Sequence, residues 1–395
     1  MASEARRRYP RKGKRRLTVK TRLKTVLKRL AAAGLYHSRL LRVLQHIGRT
    51  HILVFDAGSP RIQPFTGSKF VVLCYHRVGT QGFPSFSKLD PHIFEAQMRY
   101  LSRRYRIVPL SQMCREIRDK VQVQPTVAVT FDDGYRDLYT YAFPVLRKYR
   151  IPATIYLVGK CMETGEALWY DRIFAAVATL PAGHLEVDNA GRRVFVLDSE
   201  TARQRAAWEI ICYLRTIPDV QRRQWCSEFE RQVGMPEGEL SNRMLDWVQV
   251  KEMWCQGVAF GAHTMTHPSV ARLDSVALEY ELGESKRMLE EGLKEPIQDF
   301  AFPFGKPQDV SLSAVDSLKR YAYRSAVTTV EGVNSGGTDL FALRRLQIGD
   351  DPSLANFAFT LSRTFLEGLA GLPVPPGTLA ASVVENSRSV EGFNA

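Results

Sequence analysis

Short apolar runs alternate with longer stretches of helical periodicity through most of this 395-residue chain, and this alternation most constrains its fold. The first clear run, Lys69–Tyr75 (KFVVLCY), is apolar at every position after its first. A strand with no polar face must be covered on both sides, and helices that alternate with such strands supply the cover. The pattern therefore predicts a mainly parallel β-sheet with helices around it.

Seven such runs are predicted as strands of one sheet, with helical patterns between most of them. The predicted strands are Lys69–Tyr75, Thr126–Thr130, Ala153–Val158, Val258–Gly261, Asp299–Phe302, Arg324–Val330 and Leu343–Ile348. The predicted helices lie at about 91–103, 110–120, 138–149, 246–256, 274–294 and 311–321. About seven strands suit a barrel better than an open sheet, so we expect an α/β fold built on an irregular (β/α) barrel.

The alternation is interrupted between residues 160 and 245. This segment contains a predicted hairpin, formed by His184–Asp188 and Val194–Leu197, and a helical pattern from Glu200 to about Val233. We interpret it as a mostly helical insertion in a domain that spans residues 67–370. The last residues, 371–395, carry Pro, Gly and Ser without an apolar pattern and are predicted to form a loose tail.

The positive charge of the chain is concentrated near its N-terminus. The formal net charge is +14, and 13 of the 55 Lys and Arg residues lie within residues 1–29, where Glu4 is the single acid. The rest of the chain is close to neutral and implies no basic face. We therefore expect no nucleic-acid partner.

Residues 1–66 are predicted to form a basic arm with an amphipathic helix. Apolar residues recur there at helical spacing among basic ones, at Leu23, Val26, Leu27 and Leu30. Such a helix suits either an anionic membrane surface, through residues 1–47, or packing on its own domain, and the sequence leaves both open. The arm lacks the apolar core of a secretory signal peptide, and the six cysteines show no paired spacing. We expect a cytoplasmic protein, peripheral on the inner membrane face if the helix binds lipid.

Two adjacent aspartates follow the predicted strand Thr126–Thr130, in the sequence TFDDG. The carboxyl ends of parallel strands are where barrel enzymes build their sites. Asp132 and Asp133 would repel each other there unless they share a cation or a proton. A helix cap by one of them is the alternative interpretation, and this motif alone does not decide between the two.

Two histidines four residues apart follow another predicted strand, in the sequence HTMTH. One helical turn would bring the imidazoles of His263 and His267 to the same side. Two histidines and a carboxylate are a common ligand set for Zn²⁺ or a similar divalent ion. Because both motifs follow strands of one sheet, we expect them to meet at one rim as a metal site with one carboxylate to spare.

The two motifs in this order resemble those of the polysaccharide deacetylases with a NodB-type domain, carbohydrate esterase family 4. TFDDG is similar to the first motif of that family, HTMTH to the second, and Phe300–Gly305 (FAFPFG) stands where the third is expected. The run Leu73–Val78 (LCYHRV) resembles an N-terminal signature of some members. The resemblance covers about residues 70–160 and 245–350.

The resemblance implies a metal-dependent hydrolase that removes an N-acyl group, such as acetyl, from an amino sugar of a polysaccharide or lipid-linked glycan. Asp133, His263 and His267 would hold the metal, with Zn²⁺ as the expected ion, and Asp132 would be the general base that activates water.

The substrate contacts implied by the resemblance come from three further residues. A backbone N–H, that of Tyr135, would stabilise the oxyanion, and Pro303 and Phe304 would form an apolar wall for the acyl group. The same scaffold could instead serve a carbohydrate esterase or another amidohydrolase. It could also belong to a catalytically weakened glycan-binding member.

The chain departs from the family pattern at two functions, the general acid and the arginine that orients the base. No histidine follows His267, so the usual C-terminal histidine is absent, and His76 in YHRV is the available general acid. The arginine of the third motif is also absent. Arg344 or Arg345 is predicted to replace it in space.

Overall fold

The structure is a computed structural model of the whole chain. It describes residues 51–56, 59–64, 68–80, 88–188, 192–234, 243–349 and 353–367, together with Gly34, Leu240 and Asp351, and for residues 51–64 it describes the backbone alone. The predicted amphipathic helix and the predicted loose tail at 371–395 lie outside the described residues.

Seven parallel strands form the central sheet. They are β1 (Phe70–Tyr75), β2 (Thr126–Phe131), β3 (Ala153–Leu157), β4 (Ala259–Ala262), β5 (Asp299–Ala301), β6 (Ser325–Val327) and β7 (Arg345–Gln347). Strands β1 to β6 pair in chain order, and β7 pairs with β1 on the other side. A parallel bridge between Val327 and Leu343 brings the far edge close to β7, so the sheet nearly closes. The predicted seven strands and the predicted irregular barrel are confirmed.

Successive side chains of each strand point alternately outward to the helices and inward to the barrel interior, because the side-chain period of a strand is two. On β1, Val71, Leu73 and Tyr75 join the large cluster under the helices, whereas Phe70 and Val72 join a second cluster. All of these side chains are buried. The apolar runs of the sequence therefore report a sheet covered on both faces.

Twelve α-helices are described, and most of them surround the barrel. They are α1 (Pro91–Arg104), α2 (Leu110–Arg118), α3 (Phe143–Tyr149), α4 (Gly159–Thr164), α5 (Trp169–Thr179), α6 (Glu200–Leu214), α7 (Asp219–Val233), α8 (Trp247–Cys255), α9 (Ser275–Glu279), α10 (Ser285–Leu293), α11 (Leu312–Arg320) and α12 (Leu354–Glu367). Wider π-type turns at Leu138–Ala142 and Tyr280–Glu284 lead into α3 and α10. Short paired strands lie at His51–Asp56 with Ser59–Pro64, at Arg77–Val78 with Lys88–Leu89, and at Arg106–Ile107 beside β2.

The structure adds to the predicted helices at two places. The helical pattern from Glu200 to Val233 is two helices, because Pro218 stands at the N-cap of α7 and disfavours helical geometry in the residue before it. Helix α12 was not predicted, and its apolar face packs on α1 through Tyr100 and Phe357, whose ring centroids are 6.2 Å apart.

The segment predicted as an insertion has a hydrophobic cluster of its own. Helices α5, α6 and α7 and the hairpin His184–Asp188 with Arg192–Val196 contribute to it. Tyr135 from the barrel rim belongs to the same cluster. The insertion is therefore fixed against the barrel at the rim where the predicted site residues lie.

Candidate active site

The two aspartates of TFDDG diverge immediately beyond the end of β2. Asp132 continues the inward row of the strand, and its N–H still donates to the carbonyl of Tyr75 at 3.0 Å. Asp133 and Gly134 both have positive φ, of 74° and 76°. Such a backbone costs a non-glycine residue about 1–3 kcal/mol, and it turns the Asp133 carboxylate away from its neighbour. The two carboxylates consequently have different partners.

Asp132 forms a bidentate ion pair with Arg345, inside the barrel. Nη1 and Nη2 of Arg345 donate to the two carboxylate oxygens at 2.7 Å and 2.6 Å, and Nε donates to the carbonyl of Thr328 at 2.7 Å. The arginine is fully buried and Asp132 is 2% exposed. Burial alone raises the pKa of Asp132, but the charge and hydrogen bonds of Arg345 outweigh burial and lower it below its ordinary value. Asp132 is therefore ionised and held in one orientation by Arg345.

Of the two arginines predicted as replacements, the structure places Arg345 beside Asp132. Sequence spacing could not separate the pair, because the choice depends on which side chain of β7 points inward. Arg344 lies just before β7, and its backbone N–H and carbonyl bond to the side chain of Asn334.

Asp133, His263 and His267 come together at the rim, all of them less than 5% exposed. Oδ1 of Asp133 lies 3.5 Å from Nε2 of His263 and 3.3 Å from Nε2 of His267. Nδ1 of His263 lies 2.7 Å from the carbonyl oxygen of Ala301, which can only accept, so Nδ1 carries a proton and, in the neutral imidazole, Nε2 presents a lone pair. The nearby Asp133 and Asp132 outweigh burial and raise the pKa of His263 above its ordinary value.

These three residues fit a divalent metal ion. Metal–nitrogen bonds of about 2.0–2.1 Å place tetrahedral ligand atoms roughly 3.4 Å apart, and the measured separations are 3.3 Å and 3.5 Å. Both oxygens of Asp133 and Nδ1 of His267 are buried without a hydrogen-bond partner among the described residues. Burial raises the pKa of Asp133, but the neighbouring imidazoles lower it well below its ordinary value, so Asp133 is a buried anion beside two ring nitrogens. A cation is the chemical complement of this set.

The segment that carries both histidines is a loop, and the predicted helical turn was wrong. Thr264 and His267 have positive φ, of 65° and 57°. The hydroxyl oxygen of Thr264 accepts the N–H of His267 at 3.0 Å and closes the loop. The two imidazole centroids are 4.7 Å apart. Burial lowers the pKa of His267 to about 4, which keeps its imidazole neutral at neutral pH.

His76 lies near Asp132 and is partly exposed. Its Nε2 is 4.0 Å from Oδ2 of Asp132, and its side chain is 27% exposed. Cys74, His76 and Asp132 also lie close enough together to be considered as a second set of metal ligands. Arg345 already neutralises this carboxylate, and burial raises the pKa of the Cys74 thiol well above its ordinary value, so a second cation is disfavoured.

The three residues predicted to contact substrate have different surroundings. The Phe304 ring is half-buried and stands 4.9 Å from the His267 ring, between centroids, while Pro303 beside it is buried. Tyr135 is fully buried, and its hydroxyl donates to Asp171 at 2.8 Å. Its side chain therefore joins the barrel to the insertion, which leaves the backbone N–H as its means of contacting substrate.

The insertion supplies the wall behind His267, which sequence reasoning did not foresee. The indole N–H of Trp169 donates to the carbonyl of His267 at 3.0 Å, and the Tyr170 ring meets the imidazole edge-on at 5.1 Å. Arg215, at the end of α6, stacks on the face of Phe304 at 4.0 Å. The aromatic pair in the sequence WYD was the available signal, but its position beside the histidine loop depends on tertiary packing.

Comparison with known proteins gives three findings. The sequence model of the polysaccharide deacetylase family matches residues 119–324. The protein YxkH of Bacillus subtilis (strain 168), provisionally named as a polysaccharide deacetylase, is 22% identical over 306 residues, which are 77% of this chain and 79% of that protein. Poly-β-1,6-N-acetyl-D-glucosamine N-deacetylase of Escherichia coli (strain K12) is 23% identical over 300 residues, which are 75% of this chain and 39% of that enzyme.

Among solved structures, the deacetylase PplD of Streptococcus pyogenes, in complex with acetate, is similar in fold. Its TM-score is 0.51 at 20% identity, with 75% of this chain and 99% of that chain covered. The family match does not extend to His76 or Arg345. No helix within the described ranges is long and apolar enough to cross a membrane.

Proposed function

The chain belongs to the polysaccharide deacetylase family and is a hydrolase of carbon–nitrogen bonds other than peptide bonds; from this premise we propose that it removes an N-acetyl group from an amino sugar with a divalent metal ion. The observation that carries the proposal is the separation of the two aspartates. Asp133 faces two imidazoles, and Asp132 faces Arg345. One carboxylate is thus available as a ligand and the other as a base.

Asp133, His263 and His267 would hold the ion, with Zn²⁺ as the expected one. When bound, it would lower the pKa of water and polarise the acyl carbonyl. The nitrogen-rich, buried ligand set favours zinc over magnesium or calcium, which prefer oxygen ligands.

Asp132 accepts the proton that water loses as its oxygen forms a bond to the acyl carbon. Arg345 holds both oxygens of Asp132 in one plane, so the carboxylate cannot rotate away. The backbone N–H of Tyr135 would donate a hydrogen bond to the developing oxyanion.

His76 donates a proton to the amine nitrogen as the carbon–nitrogen bond breaks. An amine leaves as a neutral molecule only when its nitrogen is protonated, so this proton completes the reaction to carboxylate and free amine. His76 is partly exposed, and its Nε2 lies 4.0 Å from Oδ2 of Asp132. Phe304 and Pro303 supply an apolar wall suited to the methyl of an acetyl group.

The direct test is the metal content of the purified protein beside that of a His263→Ala/His267→Ala variant, with acetate release from an N-acetylglucosamine oligomer measured in the same samples. We expect near-stoichiometric metal and acetate release in the wild type, and loss of both in the variant. Absence of metal in the wild type, even after addition of Zn²⁺, would refute the proposal.

A His76→Gln variant is expected to lower kcat for an N-acetyl amine by about 10²–10⁴-fold, because general acid catalysis is worth that much. The matched measurement uses an acetate ester of a phenol, whose leaving group is acidic enough to depart unprotonated. The ester should be cleaved by the variant at close to the wild-type rate. An equal loss on both substrates would mean that His76 does not act as the acid.

The proposed function extends to the substrate and to the place in the cell where the protein acts. We propose a glycan of N-acetylglucosamine or a lipid-linked amino sugar as substrate, because one relative is named as an N-deacetylase of poly-β-1,6-N-acetyl-D-glucosamine. An esterase activity on the same site is the second candidate. Contact of residues 1–47 with an anionic membrane surface, in the cytoplasm, is proposed from the basic arm of the sequence.

A further inference from the structure

The loop Ala262–His267 is anchored from two directions. Its carbonyls at Thr264 and Met265 accept the first N–H groups of α4, at 2.9 Å and 2.7 Å. Its N–H groups at Met265 and Thr266 point the other way. Two successive N–H groups in a curled backbone form a concavity that binds an anion.

Glu281 occupies this concavity with both carboxylate oxygens. Oε2 accepts the N–H of Met265 at 2.7 Å and the N–H of Thr266 at 2.9 Å, and Oε1 accepts the Thr266 hydroxyl at 2.6 Å. Glu281 is 1% exposed. An ionised carboxylate only accepts hydrogen bonds, so both of its oxygens suit the three donors. A glutamine side chain would place an NH₂ group, which is itself a donor, against at least one of them.

The position of Glu281 depends on the π-type turn Tyr280–Glu284 between α9 and α10. The wider turn brings both Glu281 and Leu282 to the buried side. The Ser285 hydroxyl donates to the carbonyl of Glu281 at 2.7 Å, and the Tyr323 hydroxyl donates to the carbonyl of Leu282 at 3.1 Å. Such turns are frequent at functional sites because they re-aim one side chain.

We propose that Glu281 is a positioning residue of the metal site. Its carboxylate holds the backbone of Met265 and Thr266 so that His263 and His267 present Nε2 to the same point beside Asp133. The inference rests on the proposed metal-dependent function. Packing alone does not account for the residue, since a buried carboxylate is costly unless hydrogen bonds compensate it, and all three of these hydrogen bonds come from the histidine loop.

The test is the Zn²⁺ affinity of metal-stripped protein, measured by competition with a chromophoric chelator, for the wild type and a Glu281→Gln variant. Outer partners of metal ligands are worth about 10–100-fold in affinity, and we expect a loss of that size. The Co²⁺ absorption spectrum should change as well, because the ligand geometry relaxes. Glu284→Gln is the matched control, since Glu284 lies in the same turn and pairs with Arg287 at the surface. It should bind like the wild type.

A purely structural role would lower the melting temperature of the metal-free Glu281→Gln protein while Zn²⁺ affinity and the Co²⁺ spectrum stayed unchanged, and that result would overturn the inference. If Glu281→Gln does not fold, Thr266→Val removes one of the three hydrogen bonds and should weaken Zn²⁺ binding in the same direction. An unchanged Zn²⁺ affinity of Thr266→Val would then contradict the positioning role of Glu281. Wild-type protein that binds no Zn²⁺ would overturn the proposed function too, whereas equal binding by wild type and Glu281→Gln overturns this inference alone.

Discussion

An Asp132→Asn variant is expected to lose turnover by about 10²–10⁴-fold, the usual contribution of general base catalysis, and to keep its bound metal. The amide has the shape of the carboxylate but cannot accept the proton from water. Metal retention is expected because Asp132 is directed to Arg345, while the ligand atoms of Asp133 and the two histidines face one another. The measurement is kcat for acetate release together with metal content in the same preparation.

Two results would contradict this assignment. Turnover at the wild-type rate would show that Asp132 is not the base. Loss of metal together with turnover, in protein that keeps its folded spectrum, would place Asp132 among the ligands instead. Asp133→Asn is the paired variant, and it should lose metal first and activity as a consequence.

An Arg345→Met variant is expected to be destabilised by about 3–5 kcal/mol, because removal of one partner leaves a buried charge uncompensated. Asp132 is 2% exposed and has little access to water as a replacement. Arg344→Met is the matched control, a neighbouring arginine whose contacts with Asn334 are made by its backbone. Chemical unfolding of both variants measures the difference, which should be small for the control.

The destabilisation should depend on pH in a defined direction. In the wild type the pKa of Asp132 is lower in the folded protein than in the unfolded chain. The ionised carboxylate therefore stabilises the folded protein above the unfolded pKa, and this stabilisation is lost as the pH falls through the folded pKa. Without Arg345, burial raises the pKa of Asp132, and stability then falls as pH rises above the unfolded pKa. The deficit of Arg345→Met should therefore be smaller at about pH 4 than at about pH 7.

A double variant separates stability from catalysis. Asp132→Asn combined with Arg345→Met removes both buried charges and should recover part of the lost stability. It should recover no activity, because the base is absent. Full additivity of the two single losses would mean that the ion pair contributes no coupling, contrary to the bidentate geometry.

The sequence alone was sufficient to predict the barrel and the meeting of Asp133, His263 and His267 at one rim. Seven strands could be placed because a sheet covered on both faces needs continuous apolar runs. Asp132, Asp133, His263 and His267 could be located because each motif follows such a run, and the ends of parallel strands share one rim. The roles of these residues stay predictions until the variants are measured.

Arg345, Glu281 and Trp169 were decided by the tertiary structure. Arg345 is separated from Asp132 by 213 positions. Whether Arg344 or Arg345 reaches Asp132 depends on which of them points into the barrel at the start of the three-residue strand β7. Glu281 reaches the histidine loop through one widened turn, and Trp169 reaches it from the insertion. Local periodicity determines which segments become strands and helices, since it reflects burial of one residue against its near neighbours. The pairing of distant side chains depends on strand register and loop curvature, which are set only when the barrel closes.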